Sequence, residues 1–236
     1  MALEHQITPG HIAIILDGNR RYAKKIGLKP WIGHAYGVNK VRQLLEWCRE
    51  IGILELTLYC FSTENFSRNK KEIGMLFKLF KREFKSMNNR KDIMENKIRV
   101  NVIGRIGMLP DDLRNNIKEI TKNTKSHRGF IVNFALAYGG RQEITDSLQK
   151  IAKKIKAGKL SPKEISEDII KNNLYLKSEP DMLIRPGGEK RISNFLIWQS
   201  AYSELFFIDK LWPEFTKEDL INCVEEFRKR ERRMGL

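Results

Sequence analysis

Short, continuous apolar runs that end in polar residues alternate along this chain with amphipathic segments. The run Ile12–Leu16 ends in Asp-Gly-Asn, and the run Leu54–Phe61 ends in Ser-Thr-Glu-Asn. Between them, apolar residues recur at helical spacing from about 33 to 51. Continuous apolar runs are typical of strands buried on both faces, so this strand, helix, strand unit favours a parallel sheet.

The rest of the chain continues the alternation of strand and helix. A last helix is expected from Thr216 to about Arg232, with Thr216 as its N-cap and Asp219 as the acid of its first turn. No internal repeat or Pro/Gly/Ser-rich linker divides the sequence, so we expect one domain over 1–236. This domain is an α/β fold with a mostly parallel central sheet flanked by helices. The other predicted strands are 98–103, 130–137 and 182–184, and the other predicted helices are 69–89, 110–124, 141–157 and 161–173.

The composition excludes several classes of protein. No apolar run approaches the roughly 20 residues that cross a bilayer, and the N-terminal MALEHQITPGH has no basic start followed by an apolar stretch. Cys48, Cys60 and Cys223 lie far apart and indicate neither a disulfide framework nor a zinc site. We therefore expect a cytoplasmic protein.

The net charge of +15 raises binding to phosphates, nucleic acids and anionic membranes alike. A lysine-rich solvated surface explains most of the lysines equally well. The arginines are more informative, because several of them stand in polar clusters after predicted strands.

Three polar clusters follow predicted strands, and each combines arginine with small or hydroxylic residues. Ligands of open parallel sheets bind beyond the carboxyl ends of the strands, so the clusters should converge on one site. Any one of them alone is typical of an ordinary turn. Arginine at three strand ends, together with backbone amides and hydroxyls, favours a site for two diphosphate groups. The clusters are 17–22, 62–68 and 185–194.

Two further residues need an explanation. His34 stands at a predicted helix start, where it is either a phosphate donor or a capping group. Glu204 lies among apolar residues, where a carboxylate is costly to bury unless it is paired or binds a metal. Magnesium shared with Asp17 is one explanation, and an internal arginine pair is the other.

Five motifs, in order and at matching spacing, resemble those of the cis-prenyltransferases, which include undecaprenyl and dehydrodolichyl diphosphate synthases. The resemblance covers nearly the whole chain. It is carried by HIAIILDGNRRYAKK, Gly33-His34 with Gly37, LTLYCFSTENFSR, IRPGGEKRISNFLIWQSAYSELFF and the terminal Arg233-Met234-Gly235.

The resemblance implies a head-to-tail condensation. C4 of isopentenyl diphosphate attacks C1 of an allylic diphosphate, which releases diphosphate and leaves a new cis double bond. It also implies Mg²⁺ at Asp17 and Glu204, and a homodimer in which Arg233 and Gly235 reach the partner's site. No nucleic-acid partner is implied.

The resemblance further assigns roles to individual residues. Asp17 and Asn65 would be catalytic, although the neutral amide of Asn65 is a poor base. We expect Asn65 to orient a group while diphosphate or water takes the proton. The residues implied in substrate binding are Gly18, Asn19, Arg20, Arg21, Tyr22, His34, Ser62, Thr63, Glu64, Phe66, Arg68, Arg185, Arg191, Ile192, Ser193, Arg233 and Gly235.

The sequence departs from the bacterial pattern at several positions. Pro30 stands where many bacterial members have an arginine, and Leu16, Tyr22 and Phe66 replace bacterial Met, Trp and Trp. DGNRRYAKK and STENF resemble the archaeal and eukaryotic branch, which favours geranylgeranyl diphosphate over farnesyl diphosphate as the primer. One apolar stripe would line a hydrophobic product tunnel in this family, or else is plain core. Its residues are Ile73, Leu76, Phe77, Phe80, Phe84 and Met87.

Two other functions compete with the synthase. A noncatalytic prenyltransferase-like subunit would carry degraded motifs, whereas all five stand here in one chain. A nucleic-acid-binding α/β protein would need cations clustered with stacking aromatics. Peripheral contact with a membrane is a hypothesis raised by the basic residues 228–232.

Overall fold

In a computed structural model, which describes residues 8–230, the chain folds around one six-stranded sheet. Every neighbouring pair of strands is parallel. The predicted α/β fold is confirmed, and the sheet is parallel throughout rather than mostly parallel. The strands are β1 (His11–Ile15), β2 (Glu55–Ser62), β3 (Arg99–Ile103), β4 (Ile131–Tyr138), β5 (Met182–Pro186) and β6 (Glu204–Ile208), and they lie in the order β3-β4-β2-β1-β5-β6.

Helices cover both faces of the sheet. Side chains alternate along β1, so that Ile12 and Ile14 join one apolar core while Ala13 and Ile15 join the other. Helices α2, α3, α5 and α8 supply the first core, and α6 lies on the opposite face. The helices are α1 (Asn19–Lys25), α2 (Gly33–Ile51), α3 (Lys70–Met87), α4 (Lys91–Glu95), α5 (Asp111–Asn123), α6 (Gly140–Lys156), α7 (Glu167–Asn173) and α8 (Lys217–Lys229). None of the helices within residues 8–230 is long and apolar enough to span a membrane.

The predicted helix 161–173 is wrong in its first half. Residues Pro162–Glu164 form a 3-10 turn, and α7 begins only at Glu167. The backbone N–H of Ser161 donates to the Glu164 carboxylate at 2.6 Å, which closes the turn on itself. Ser166 then caps α7 by accepting a hydrogen bond from the backbone of Ile169 at 3.3 Å.

The predicted start of the last helix is confirmed. Thr216 and Asp219 form a reciprocal capping box, in which the Thr216 backbone N–H donates to Asp219 at 2.9 Å and the Asp219 backbone N–H donates to the Thr216 hydroxyl at 3.2 Å. Helix α8 ends at Lys229, three residues before the predicted end. The terminal Arg233 and Gly235 lie outside the described residues.

Candidate active site

The three polar clusters lie at one edge of the sheet. Strand β1 stands between β2 and β5, and all three run in the same direction. Asp17 follows β1 by two residues, Ser62 is the last residue of β2, and Arg185 lies next to the end of β5. The convergence predicted from the sequence is therefore observed.

Arg185 joins the first cluster to the third. Its buried guanidinium, 4% exposed as a residue, donates from Nη2 to Asp17 Oδ2 at 2.8 Å and from Nη1 to Ser193 Oγ at 2.7 Å. Arg21 Nη2 lies 3.2 Å from the other Asp17 oxygen. Burial alone would raise the pKa of Asp17, but the hydrogen bond and charge of Arg185, helped by Arg21, hold that pKa below its usual value. Asp17 is therefore a carboxylate at neutral pH.

The loop after β5 approaches Asp17 through a glycine. Gly187 has a φ of +105°, and a Cβ at this position would lie 2.7 Å from Arg21 Nη2 and 3.3 Å from Asp17 Cβ. Ser193 and Asn194, in the same loop, also occupy the left-handed region, with φ of 48° and 64°. The Pro-Gly-Gly turn is thus required for the contact between the two clusters.

Asn194, the last residue of the third cluster, ties that cluster to the second, although the resemblance assigned it no individual role. Its Nδ2 donates to Glu64 Oε1 at 2.9 Å, and its Oδ1 accepts from the Arg141 backbone at 2.9 Å. Thr63 donates its hydroxyl to Glu64 at 3.2 Å. Asn194 has a left-handed φ of 64°, a conformation that asparagine tolerates.

Asn65 holds the turn that carries the second cluster. Its Oδ1 accepts a hydrogen bond from the Ser62 backbone N–H at 3.2 Å. The neighbouring Phe66 packs edge-on against Phe61, with ring centroids 5.0 Å apart, and contacts Phe77 at 6.1 Å. The polar turn after β2 therefore continues directly into the apolar core under α3.

A cationic cleft of about 420 Å³ opens beside Asp17. We call it the anion cavity, because its lining contains four cationic side chains and one carboxylate. Fixed guanidinium groups in a partly enclosed cleft attract phosphate oxygens strongly. Its lining residues are Leu16, Asp17, Gly18, Asn19, Arg20, Arg21, Lys24, His34 and Arg68.

Glu72 lies behind the anion cavity and was not predicted from the sequence. This residue of α3 is 7% exposed, and its Oε1 lies 3.4 Å from Arg68 Nη1, 3.7 Å from Arg20 Nε and 3.5 Å from His34 Nε2. One buried carboxylate thus fixes three of the cavity's donors. Its position four residues after Arg68, which precedes the start of α3, is the only sequence signal for it.

His34 is neutral at physiological pH. Burial, followed by the positive charge of Arg68, lowers its pKa to about 4 in spite of the nearby Glu72. Its Nε2 is buried, and apart from the 3.5 Å approach of Glu72 Oε1 it has no polar partner within the described part of the chain. His34 lies in the first turn of α2, and its side chain lines the anion cavity.

The remaining predicted site residues lie around these clusters. Tyr22 packs edge-on against Tyr36, with ring centroids 5.3 Å apart. Arg191 is exposed and donates to Glu189 at 2.6 Å, while Ile192 is partly buried against the core beneath the third cluster.

An apolar groove between α2 and α3 continues from the anion cavity. Leu16, Asn19 and His34 line both spaces. The groove holds about 80 Å³ of free space, and one buried charge, Glu83 of α3, pairs across it with Arg42 of α2. Other residues lining the groove are Val38, Val41, Leu45, Cys60, Leu76, Leu79, Phe80, Phe84, Met87, Phe134 and Leu136.

The glycines of the Gly-His motif bring α2 against α1. A Cβ at Gly37 would lie 2.2 Å from Asn19 Oδ1, and one at Gly33 would lie 1.9 Å from the Asn19 backbone oxygen. Asn19 in turn donates its side-chain amide to the Leu16 carbonyl at 3.1 Å. This close approach holds His34 and Asn19 at the junction of cavity and groove.

Comparison with known proteins decides the family. Residues 15–235 match a family model described as "Putative undecaprenyl diphosphate synthase". The chain belongs to this family. It is 49% identical over 231 residues to tritrans,polycis-undecaprenyl-diphosphate synthase (geranylgeranyl-diphosphate specific) of Pyrococcus horikoshii, covering 97% of this chain and 88% of the relative. The enzyme of the same name from Methanocaldococcus jannaschii is 45% identical over 238 residues, covering 99% of this chain and 85% of that one.

Solved structures of the family share the fold. The crystal structure of lavandulyl diphosphate synthase from Lavandula x intermedia in complex with dimethylallyl diphosphate has a TM-score of 0.93 and 34% identity, covering 97% of this chain and 99% of that one. The predicted family and the predicted enzyme class, a prenyltransferase, are confirmed. Cis-prenyltransferases are generally Mg²⁺-dependent.

The structure does not bring the two metal ligands predicted for this prenyltransferase together within one chain. Glu204 is level with Met182 on β5, and Met182 is level with Ile12 on β1. Asp17 follows Ile12 by five residues. At about 3.3 Å per residue, Glu204 therefore lies roughly 16 Å from Asp17, measured along the strand direction. Glu204 instead accepts a hydrogen bond from Arg230 at 2.8 Å, the internal arginine pair that the sequence left open.

Asp17 is therefore the only one of the two predicted ligands beside the anion cavity. Within residues 8–230, no group of three or more His, Cys, Asp or Glu side chains is placed to hold a metal ion. Mg²⁺ often takes one or two protein carboxylates and fills its other positions with phosphate oxygens and water. One carboxylate next to the anion cavity fits that preference.

Proposed function

We propose that the chain condenses isopentenyl diphosphate repeatedly onto geranylgeranyl diphosphate, which yields a long-chain cis-polyprenyl diphosphate of the kind used as a glycosyl carrier lipid precursor. The observation that carries this proposal is the junction of a cationic cavity with an apolar groove at Leu16, Asn19 and His34. A prenyl diphosphate has the same two parts, a charged head and an apolar chain. The relatives at 49% and 45% identity are named as geranylgeranyl-diphosphate specific, which supports that primer over farnesyl diphosphate.

The allylic diphosphate binds in the anion cavity. Arg20, Arg21 and Arg68 supply guanidinium donors there, and Arg20 supplies a positive charge that helps offset the missing arginine at Pro30. Because His34 is neutral, it contacts the diphosphate by a hydrogen bond and adds no charge. The backbone at Gly18 and Asn19, the ring of Tyr22 and the second cluster (Ser62, Thr63, Glu64 and Phe66) complete this side of the site.

Isopentenyl diphosphate binds beside the third cluster. Arg185, Arg191 and Ser193 face its diphosphate, and Ile192 contacts its apolar part. The Nε of Arg185 is buried and has no hydrogen-bond partner among the described residues, so a phosphate oxygen would satisfy it. The contact of Arg185 with Asp17 holds the two diphosphate positions at a fixed separation.

The reaction forms a bond between C4 of isopentenyl diphosphate and C1 of the primer. The C1–oxygen bond breaks, diphosphate leaves with its electron pair, and a proton is lost from C2 as the new cis double bond forms. The arginines, already in place before the reaction, stabilise the charge that develops on the leaving diphosphate. Asn65 orients the second cluster, and diphosphate or water accepts the proton.

Asp17 holds Mg²⁺ in this proposal. Its low pKa keeps it ionised, and both of its oxygens face the site through Arg185 and Arg21. The metal, when bound, would neutralise charge on the diphosphate that leaves. Glu204 of the same chain is too distant to share the ion with Asp17.

The growing chain extends into the groove between α2 and α3. Four residues of the predicted stripe line this groove, namely Leu76, Phe80, Phe84 and Met87. Ile73 and Phe77 pack against the same core as partly buried residues. Binding sites for ligands of drug size enclose about 300–1,000 Å³, and the groove holds about 80 Å³. We therefore expect α2 and α3 to move apart as the product tunnel fills.

The active form is a homodimer whose terminal Arg233 and Gly235 complete the partner's site, in the cytoplasm and without nucleic acid. A noncatalytic subunit would not need an ionised Asp17 linked to a buried Arg185, which favours the enzyme. Gel filtration combined with the activity assay distinguishes the homodimeric enzyme from a noncatalytic subunit, since a noncatalytic subunit elongates nothing on its own.

The test is an incubation with labelled isopentenyl diphosphate, Mg²⁺ and each allylic primer in turn, followed by butanol extraction and chain-length analysis. Long labelled products, formed fastest with geranylgeranyl diphosphate, are expected. Preference for farnesyl diphosphate would correct the primer alone. Absence of elongation with every primer would contradict the proposed function.

A further inference from the structure

An exposed apolar surface lies on the segment between α1 and α2 and on the first turn of α2. Four large apolar side chains within eleven consecutive positions are exposed: Ile26 (41%), Leu28 (36%), Ile32 (37%) and Tyr36 (40%). Met75 on α3 is 41% exposed. We call Ile26, Leu28, Trp31, Ile32, Tyr36 and Met75 the rim patch. Clustered exposed apolar side chains on a folded protein mark an interaction surface, whereas single ones need no explanation.

Lysines surround the rim patch. Lys29 Nζ lies 5.5 Å and Lys71 Nζ 5.8 Å from the ring centre of Trp31, which places α3 next to this segment. Lys70 precedes Lys71 at the exposed start of α3, and Met75 follows one turn later. Lys25 is also exposed, although it is paired with Glu214. The patch therefore combines an apolar centre with a positive border.

The rim patch adjoins the opening of the anion cavity. Lys24, which precedes the exposed segment, and His34, in the first turn of α2, both line that cavity. A molecule that contacts the rim patch thus lies beside the position of the allylic diphosphate.

We propose that the rim patch docks the protein on an anionic lipid bilayer. Branched apolar side chains enter the boundary between headgroups and acyl chains, tryptophan and tyrosine favour that boundary, and lysines attract anionic headgroups. The inference rests on the proposed function for its purpose, because a prenyl diphosphate must pass between the site and a membrane. Nucleic acid fits the patch less well, since Ile26, Leu28 and Ile32 offer no aromatic face on which bases stack.

Cosedimentation with sucrose-loaded vesicles tests the proposal without substrate. The full chain is mixed with vesicles of phosphatidylcholine containing phosphatidylglycerol, or of phosphatidylcholine alone, at physiological salt. Binding is expected only with phosphatidylglycerol present. Elongation of a detergent-dispersed primer is measured separately, so failure of docking and failure of the proposed function give different results.

Two patch variants and two matched controls identify the surface. Ile26→Ser with Leu28→Ser removes apolar side chains without changing charge, and Leu148→Ser with Ile165→Ser does the same at exposed positions elsewhere. Lys29→Gln, Lys70→Gln and Lys71→Gln together remove three positive charges from the border. The same three charges are removed from α6 and the turn after it by Lys153→Gln, Lys156→Gln and Lys159→Gln, all at exposed positions.

Each patch variant is expected to lower vesicle partitioning about tenfold or more. In the lysine variant, each lost lysine near an anionic surface is worth roughly fivefold in binding. In the Ile26/Leu28 variant, the loss comes from apolar area that no longer enters the interface. The control variants should bind as the wild type does, and all variants should elongate the dispersed primer normally. Absence of vesicle binding by the wild type, or equal losses in patch and control variants, would overturn the proposal. Duplex DNA that displaces the protein from vesicles, together with unchanged vesicle binding of the Ile26/Leu28 variant, would assign the lysines to nucleic acid and overturn it as well.

Discussion

The carboxylate of Asp17 receives a hydrogen bond from Arg185 on one oxygen and lies beside Arg21 on the other. Replacement by asparagine keeps an acceptor for Arg185 but removes the charge that would hold Mg²⁺. We expect Asp17→Asn to lower kcat about a hundredfold or more while the melting temperature stays near that of the wild type. Steady-state kinetics with thermal unfolding checks this, with Asp168→Asn on α7 as the control. A variant that is folded and fully active would remove Asp17 from the mechanism.

Glu72 positions donors of the anion cavity without facing the substrate itself. Its carboxylate lies within 3.7 Å of Arg20, Arg68 and His34. Glu72→Gln should raise KM for the allylic primer about tenfold, equivalent to about 1.4 kcal/mol, and leave KM for isopentenyl diphosphate nearly unchanged. The exposed Glu95→Gln serves as the control. An equal rise in both KM values would indicate a general loss of structure.

His34 makes the stability of the fold depend on pH. In the unfolded chain its pKa is near 6.5, and in the folded chain burial and Arg68 lower that pKa to about 4. The unfolded state therefore binds more protons between these values, so His34 lowers the free energy of unfolding as the pH falls from 6.5 toward 4. Urea unfolding across this range should show a weaker acid sensitivity in His34→Gln than in the wild type. Identical pH profiles would show that His34 does not titrate in this way.

At the scale of elements, the residues that line the groove between α2 and α3 set the product length in the proposed function. Val41 of α2 lines the groove and is buried. Val41→Phe fills part of the free space, so we expect shorter products while the first condensation proceeds at the wild-type rate. Chain-length analysis at a fixed substrate ratio measures this. Val102→Phe, on β3 and outside the groove lining, is the matched control, and an unchanged product distribution in Val41→Phe would place the growing chain elsewhere.

The capping box at the start of α8 can be tested for its contribution to stability. The Thr216 hydroxyl accepts from the Asp219 backbone, so Thr216→Ala should destabilise the fold by about 1 kcal/mol, whereas Thr216→Ser should not. The urea midpoint of each variant reports the difference. Equal midpoints for alanine and wild type would mean that the capping box contributes nothing measurable.

Elements with a strong local pattern were predictable from the sequence, and elements set by long-range contacts were not. The run at Ile12–Leu16 and the stripe on α3 identified a buried strand and a helix, because apolar spacing determines which faces are buried. Strand β6 was not predicted, although residues 205–208 of it form a short apolar run. Helix α1, seven residues long, was obscured by its two arginines and two lysines.

In the candidate site, too, features with a local sequence pattern were predictable and features set by long-range contacts were not. Its three clusters were predictable because parallel strands deliver their carboxyl ends to one edge. Glu72 was missed, and Asn194 was predicted in the third cluster without a role of its own, since their partners become neighbours only after α3 and the loop following β5 have packed. Asp17 and Glu204 of one chain lie apart for a related reason, because a motif does not reveal that Glu204 begins its strand while Asp17 follows the end of another.

At the scale of the whole molecule, the net charge of +15 is divided among different surfaces. In the proposed function, the arginines of the anion cavity and of the third cluster bind the diphosphates. The lysines around the rim patch form a second part, which faces the bilayer in our further proposal. The sheet holds the first part rigidly at the carboxyl ends of β1, β2 and β5. The second lies on the exposed segment between α1 and α2.

The central claim is that one substrate occupies both the anion cavity and the apolar groove. A crystal structure with a thiolodiphosphate analogue of geranylgeranyl diphosphate tests it most directly. The account predicts the diphosphate against Arg20, Arg21, Arg68 and His34, with the twenty-carbon chain between α2 and α3. A diphosphate bound at Arg185 and Ser193 instead, or a chain lying outside the groove, would contradict it.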